Sequence, residues 1–275
     1  MAAVFDFFWT ALAGMLPVVG AFALLALVVK QRRILVALRA CRAEAQTNVL
    51  LWLFNGLVVT PLVILPVLAV EGFLGDFGLL ADQLKRIPGW LAVVLAVILI
   101  DLVAYWRHRL EHDPALWRFH ATHHADTAMH WFSLQRKHPV SKVASLLLDS
   151  LLVIALGFPL WTVALAATLR SWWGYFIHAD VEWTLGPLGA VLISPAAHRL
   201  HHVRDEALMG ANYGNTVTLW DRLFGTWRDP APYLGCETGI AEGTRGFAGE
   251  LKRPFEARYR RGGQAEGGAV AAGAS

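Results

Sequence analysis

Residues 91–112 read LAVVLAVILIDLVAYWRHRLEH, an apolar run that closes on an aromatic pair, two arginines and two histidines. About 20 apolar residues cover the roughly 30 Å of bilayer hydrocarbon, and Trp90 to about Trp106 predicts such a span. Tyr105 and Trp106 are the kind of rings that collect at a membrane interface. The histidines after them therefore begin at a membrane edge. Asp101 is an ionisable side chain deep in the run, costly enough to need a reason. Asp101, Tyr105, His108 and His112 stand at i, i+4, i+7 and i+11, one continuous helical stripe, so Asp101 and Tyr105 are the candidate catalytic-site residues, placed to orient a ligand imidazole. Hydrogen bonding between helices is the competing role for Asp101.

On the N-terminal side, a first span is predicted from about Phe5 to Val29 and a second from about Val49 to Val70, the latter kinked by Pro61 and Pro66. Between them the helix-prone segment Lys30 to Ala45 holds Lys30, Arg32, Arg33, Arg39 and Arg42, whereas the connector 71–88 holds only Lys85 and Arg86. Cationic loops stay in the cytoplasm, so the N-terminus is expected outside and the histidines on the cytoplasmic side. The start of the chain has no basic n-region and no small-residue cleavage site, so the first span is expected to remain as an anchor. On the C-terminal side, Ser145 to Phe176 is apolar but broken at Gly157-Phe158-Pro159, which predicts a helical hairpin dipping into the bilayer. The last residues, GGQAEGGAVAAGAS, cannot bury enough surface to order.

Composition agrees with this reading. Of 275 residues 56% are hydrophobic and 16% charged, and the mean hydropathy is +0.46, too apolar for an ordinary soluble domain. The net charge of +3 is spread over topogenic loops and implies no nucleic acid. Cys41 and Cys236 stand alone, without the spacing of a disulfide framework or a thiolate metal site. The expected fold class is all-α, a polytopic transmembrane helical bundle with a cytoplasmic histidine-rich cap. Residues 1–88 would carry the N-terminal spans and connector, 89–232 the histidine-box domain with its hairpin at 145–176, and 233–275 a cytoplasmic C-terminal segment with its tail.

All eleven histidines fall between positions 108 and 202, most of them in HRLEH (108–112), HATHH (120–124) and HRLHH (198–202). On a helix, residues three and four apart share a face, so His108 with His112, His120 with His123 and His124, and His198 with His201 and His202 each form a multidentate surface. Imidazole suits iron, copper, nickel or zinc. One ion takes at most about six ligands and a catalytic one leaves a position open, so eight imidazoles exceed one metal's needs and indicate two. His178, at the end of the hairpin, is the natural ninth. A lone histidine at a membrane edge is ordinarily a hydrogen-bonding residue, so the isolated His130 and His138 are held outside the ligand set. His138, in KHP, suits a helix entry or a supporting contact.

The ordered run DLVAYWRHRLEH, HATHH, HRLHH and NYGNTVTLWDRLFGT (212–226) resembles the fatty acid hydroxylase and sterol desaturase superfamily over about residues 90–230. The resemblance implies a histidine-ligated di-iron site in a cytoplasmic cap. It carries ligand roles onto His108, His112, His120, His123, His124, His198, His201 and His202, matches His178 to the family's separate histidine after the hairpin, and draws in Asn212 of the NYG motif as a supporting residue. SLQRKHP (133–139) departs from the family's threonine-arginine-phenylalanine approach to HP, and His130 is additional. The implied activity is dioxygen-dependent hydroxylation of a C–H bond in a lipid-like substrate, such as a fatty acyl chain, sterol or carotenoid, with desaturation as the alternative. Zinc is the competing ion in recombinant material.

The chain holds no dinucleotide fingerprint, haem-attachment motif or iron–sulfur cysteine set, so electrons must come from an external donor of cytochrome b5, ferredoxin or reductase type. Arg118, Arg136, Lys137, Arg199 and Arg204 are candidates to receive an acidic carrier or anionic head groups; positive-inside topology accounts for them equally well. A non-enzymatic haem- or metal-binding membrane protein is the rival of another class. Haem takes two axial histidines at most, and nine grouped imidazoles exceed that.

Overall fold

The computed structural model describes residues 2–63, 66, 72 and 78–260. The far end of the second expected span, most of the connector and the C-terminal tail lie outside the described residues. The protein is all helical, with no strand among the described residues beyond two isolated bridges. In chain order the helices are α1 (Ala2–Lys30), α2 (Ile34–Ala40), α3 (Arg42–Phe54), α4 (Ala81–Leu84), α5 (Gly89–Glu111), α6 (Pro114–His124), α7 (Pro139–Ala155), α8 (Leu160–Ile177), α9 (Pro195–His201), α10 (Leu219–Leu223), α11 (Gly246–Lys252) and α12 (Ala257–Arg260).

Three helical stretches among the described residues are long and apolar enough to cross a membrane: Leu12–Ala40, Arg42–Val63 and Gly89–Glu111. Their outer faces carry exposed Leu16, Leu27, Leu62 and Trp90, side chains that water would penalise and lipid would not. The basic segment is not one surface helix. Gln31 takes φ +45, bending the chain between α1 and α2, and α3 begins at Arg42 with Glu44, Thr47 and Asn48 already buried. The first two turns of the second stretch thus belong to the polar cap, and only its later part is apolar. Ahead of Pro61, residues Asn55–Val59 widen into a π turn, with the Thr60 N–H donating to the Asn55 carbonyl, which gives room to a proline ring that would otherwise press on the carbonyl four residues back.

α5 lies against both α7 and α8. Ala96, Ile100, Val153, Val163 and Ala166 form the seam, and the alanines let the backbones approach closely. The α7–α8 hairpin turns at Gly157, φ +88, and a Cβ on Gly78 would stand 2.1 Å from the Gly157 Cα, so neither position accepts a side chain.

The helices that deliver histidines start sharply. Asp113 accepts from the Ala115 N–H ahead of Pro114, and Ser194 accepts from the Ala197 N–H ahead of Pro195. These are side-chain caps followed by the one residue that needs no backbone partner in a first helical turn. His138 caps α7 in the same way, its ring accepting from the Val140 N–H ahead of Pro139.

Candidate metal centre

Nine imidazoles meet where the C-termini of α5, α6, α8 and α9 converge. They form two groups, His108, His112, His120, His124 and His201 in one and His123, His178, His198 and His202 in the other, with ligand atoms in each group within 4.8 Å of one another. Each of the two triple boxes is divided. On α6, His120 and His124, four residues apart, serve the first group while His123 serves the second. At α9, His198 and His202 serve the second while His201 serves the first. A residue offset by one position turns by about 100° round the helix, which is enough to aim it at a different centre. The groups adjoin, with the His124 and His202 rings stacked at 4.4 Å.

Backbone acceptors fix the tautomers. His108 Nδ1 lies 2.8 Å from the Tyr213 carbonyl, His123 Nδ1 3.1 Å from that of Arg136, His178 Nδ1 2.7 Å from that of Gly174, and His201 Nδ1 2.8 Å from that of Ala211. A carbonyl only accepts, so each Nδ1 carries the proton and each Nε2 presents a lone pair. His120 Nδ1 faces the Glu111 carboxylate at 3.3 Å, with the same outcome. Yet His108 Nε2 stands 3.1 Å from His120 Nε2, and His123 Nε2 stands 3.4 Å from His178 Nε2. These are lone pairs facing lone pairs, an arrangement that a shared cation resolves.

Seven further buried imidazole nitrogens, on His112, His124, His198, His201 and His202, have no hydrogen-bond partner among the described residues. A buried polar atom without a partner costs about 1–3 kcal/mol, and metal coordination through one nitrogen of each ring would satisfy up to five of them. Burial, followed by the charges of neighbouring imidazoles, holds His123, His124, His198 and His202 well below the ordinary histidine value. Burial also pushes His178 down to about 4 and His201 to about 3. These six imidazoles are therefore neutral at physiological pH, the form in which imidazole binds metals. The donor set fits two borderline cations.

Among the described residues, neither Asp101 nor Tyr105 hydrogen-bonds an imidazole. Asp101 lies two helical turns, about 10 Å of rise, before His108. It accepts from Arg170 at 3.0 Å and from the Thr216 and Val217 N–H groups at 3.1 and 3.2 Å. The Tyr105 hydroxyl meets Thr226 Oγ1 at 2.9 Å. Both hold the 212–226 loop, which in turn holds the histidines. Asn212, at φ +56, bonds the Ala197 and Arg228 carbonyls through its amide nitrogen, so the carbonyls on either side, Ala211 and Tyr213, point at His201 and His108. Asp221 accepts from the Tyr213 and Gly214 N–H groups, both at 2.8 Å.

A Cβ on Gly214 would sit 2.6 Å from the Val217 carbonyl and 2.8 Å from Asp221 Oδ2. Gly214→Ala is therefore expected to displace the Tyr213 carbonyl and weaken metal retention by the five-histidine group about 10- to 100-fold, the effect typical of lost ligand supports. Chelator competition measures this, and an unchanged affinity would refute the role given to the loop.

Glu111 and Arg136 were not singled out as supports of the histidines, although an acid between two histidines at a membrane edge is itself a signal. Arg136 is fully buried, so it is not part of any docking surface. It donates to Glu44 at 2.6 Å and to Glu250 at 2.8 Å, and its own carbonyl holds His123. His130 and His138 lie outside both groups. His130 Nδ1 meets the Ser133 hydroxyl at 3.0 Å.

A helical bundle with membrane-length apolar helices, ending in two adjoining groups of buried imidazoles, five of them oriented by backbone carbonyls or Glu111, is a membrane protein built around a histidine metal centre. Residues 93–226 match the sequence model of the fatty acid hydroxylase family, and proteins of the fatty acid hydroxylase and sterol desaturase superfamily are similar to this part of the chain. The ornithine lipid hydroxylase OlsE of Rhizobium tropici is 30% identical over 171 residues, 62% of this chain and 52% of that protein. Human alkylglycerol monooxygenase is 30% identical over 139 residues, 50% of this chain and 30% of that protein. The Delta(7)-sterol 5(6)-desaturase of Leptosphaeria maculans is 29% identical over 177 residues, 61% of this chain and 47% of that protein. The chain thus spans about half or less of the length of these relatives. No solved structure matches it closely enough to be significant.

Proposed function

We propose that the chain is a membrane-bound di-iron oxygenase that hydroxylates a C–H bond of a lipid-like substrate. The observation carrying this reading is the opposition of unprotonated Nε2 atoms within each histidine group, between His108 and His120 in one and between His123 and His178 in the other. Five imidazoles would hold one iron and four the other. When bound, the irons supply the reduction of dioxygen and the hydrogen removal from an unactivated carbon that no side chain performs. The chain's own residues do the rest. Backbone carbonyls keep Nδ1 protonated on His108, His123, His178 and His201, and Glu111 does so on His120; Asp101, Tyr105 and Asn212 position the loop that carries two of those carbonyls; and a cavity of about 440 Å³ between α5, α7 and α8 reaches His108, His120, His123, His178 and His198, giving a substrate chain a path to the imidazoles.

Supporting a lipid substrate are the named activities of the relatives on ornithine lipid and alkylglycerol. The sterol desaturase among them keeps desaturation as the second reading. The catalytic portion would be residues 89–232, the histidines facing the cytoplasm and the N-terminus outside, because five basic residues lie between the first two spans against two in the next connector. Electrons would come from an external donor of cytochrome b5, ferredoxin or reductase type.

The test is metal and product analysis. Iron-loaded protein is expected to bind two irons per chain, and membranes containing it to accumulate a lipid heavier by one oxygen when given a reductant and dioxygen. Loss of two hydrogens would establish the desaturase reading instead. One metal per chain, or an unchanged lipid profile, would overturn both.

A further inference from the structure

The 440 Å³ cavity has two chemically different ends. Along α5 its lining passes from Ile100 and Ala104 to Arg107, His108 and Glu111; along α8, from Val163 and Ala167 to Arg170 and His178; along the antiparallel α7, from Ile154 back to Asp149 and Lys142. Every wall is apolar at the bilayer end and charged at the histidine end.

The charges at that end do not cancel. Arg107 grips both oxygens of Asp149, at 2.6 and 3.0 Å, and one of Glu111, at 2.7 Å. Arg170 is taken by Asp101 at 3.0 Å. Three carboxylates, Asp101, Glu111 and Asp149, thus stand against four cations, Arg107, Arg170, Lys137 and Lys142, and the ammonium groups of Lys137 and Lys142 have neither a hydrogen bond nor an ion pair among the described residues. Such an excess is costly beside apolar walls. Burial, reinforced by the Arg107 charge, pushes Lys137 down to about 8. Arginine would satisfy itself with its fork on a neighbouring carboxylate, whereas a lysine is a compact, mobile point charge. Asn55, the first residue of the π turn after α3, anchors the Lys137 backbone carbonyl at 2.9 Å, so the side chain starts from a fixed point.

Resting on the reading of this cavity as the substrate site, we infer that Lys137 and Lys142 bind the head group of a lipid carrying one negative charge, a carboxylate or phosphate, whose chain lies along Ile100, Val163 and Ala167. One anion matches the one surplus cation among the chain's own arginine, lysine and carboxylate side chains at this end, and the irons, when bound, would add to its attraction. The volume lies toward the lower end of the roughly 300–1,000 Å³ of ordinary ligand pockets, so the cavity holds a head group and part of one chain rather than a whole two-chain lipid.

The experiment is equilibrium binding of labelled oleate and oleyl alcohol, equal in chain and different in charge, to the full-length iron-loaded protein in neutral detergent. Oleate is expected to bind at least 10-fold tighter. The preference should vanish in Lys137→Met/Lys142→Met and persist in Lys137→Arg/Lys142→Arg. Should the double methionine variant fail to fold, Lys142→Met alone decides, with at least a threefold loss expected. Equal binding of the two probes to the wild type, or an undiminished preference without the lysines, overturns the inference. Displacement of oleate by inorganic phosphate as efficiently as by lysophosphatidate would overturn the lipid assignment. Because binding is read without turnover, a metal count other than two would defeat the di-iron reading and leave this result standing or falling separately.

Discussion

His201→Ala and His202→Ala, although adjacent in the chain, are expected to remove different irons. His201 belongs to the five-histidine group and His202 to the four-histidine group, and the rings diverge, their planes at 86°. Each variant should bind one iron per chain. Mössbauer spectra of the wild type should show two inequivalent sites, one with five nitrogens and one with four; His201→Ala should lose the first signal and His202→Ala the second. The same division holds on α6, where His124→Ala should pair with His201→Ala and His123→Ala with His202→Ala. Turnover should fall in all four by more than the roughly 100-fold upper effect of losing a mere ligand support, since both metals serve one reaction. If His201→Ala and His202→Ala lost the same signal, the two-group assignment would be wrong, and retention of two irons in either would remove that residue from the ligand set.

How much of this was legible in the sequence varies with the range of the interactions involved. Local periodicity made the three membrane-length helices and the hairpin break at Gly157 readable, because a helix turns on residues three and four apart. The gathering of the histidines was readable too, since the i,i+4 pairs are local. The division of HATHH and HRLHH between two centres was not, because spacing tells which rings share a face but not what stands opposite. For the same reason Asp101 looked like an imidazole partner: the stripe was right, but the NYG loop, more than 100 residues later, comes between. The basic residues misled most. Arg136 sits in SLQRKHP beside exposed-looking neighbours, and nothing local announces Glu44 from α3 and Glu250 from α11 closing on it.

That buried cluster supports the largest expected loss of stability. Arg136 donates through Nε to the Thr122 carbonyl at 2.7 Å, and through its other nitrogens to Glu44 and Glu250, while Arg253 takes both Glu250 oxygens at 2.7 and 2.8 Å. Arg136→Leu would leave Glu44 facing no cation and Glu250 only Arg253. Breaking a buried pair in this way costs about 3–5 kcal/mol, a large part of the roughly 5–15 kcal/mol that holds a typical domain. Because the Arg136 carbonyl positions His123, the four-histidine iron should be lost along with cap stability; Arg136→Lys, keeping the charge without the fork, should fall between. The pH dependence has a definite sign. Burial pushes the Glu250 carboxyl up, but hydrogen bonds from Arg253 and the charges of Arg136 and Arg253 outweigh it and hold the group below its ordinary value. Its stabilisation is therefore complete above the ordinary carboxyl range and drains away as the pH falls through that range toward the lower folded value. Thermal unfolding of the detergent-solubilised protein between pH 7 and pH 4 should show a steeper acid loss in the wild type than in Arg136→Leu, where part of the linkage is already gone. An Arg136→Leu protein within about 0.5 kcal/mol of wild type, the range of ordinary surface substitutions, would mean that the cluster does not hold the cap together.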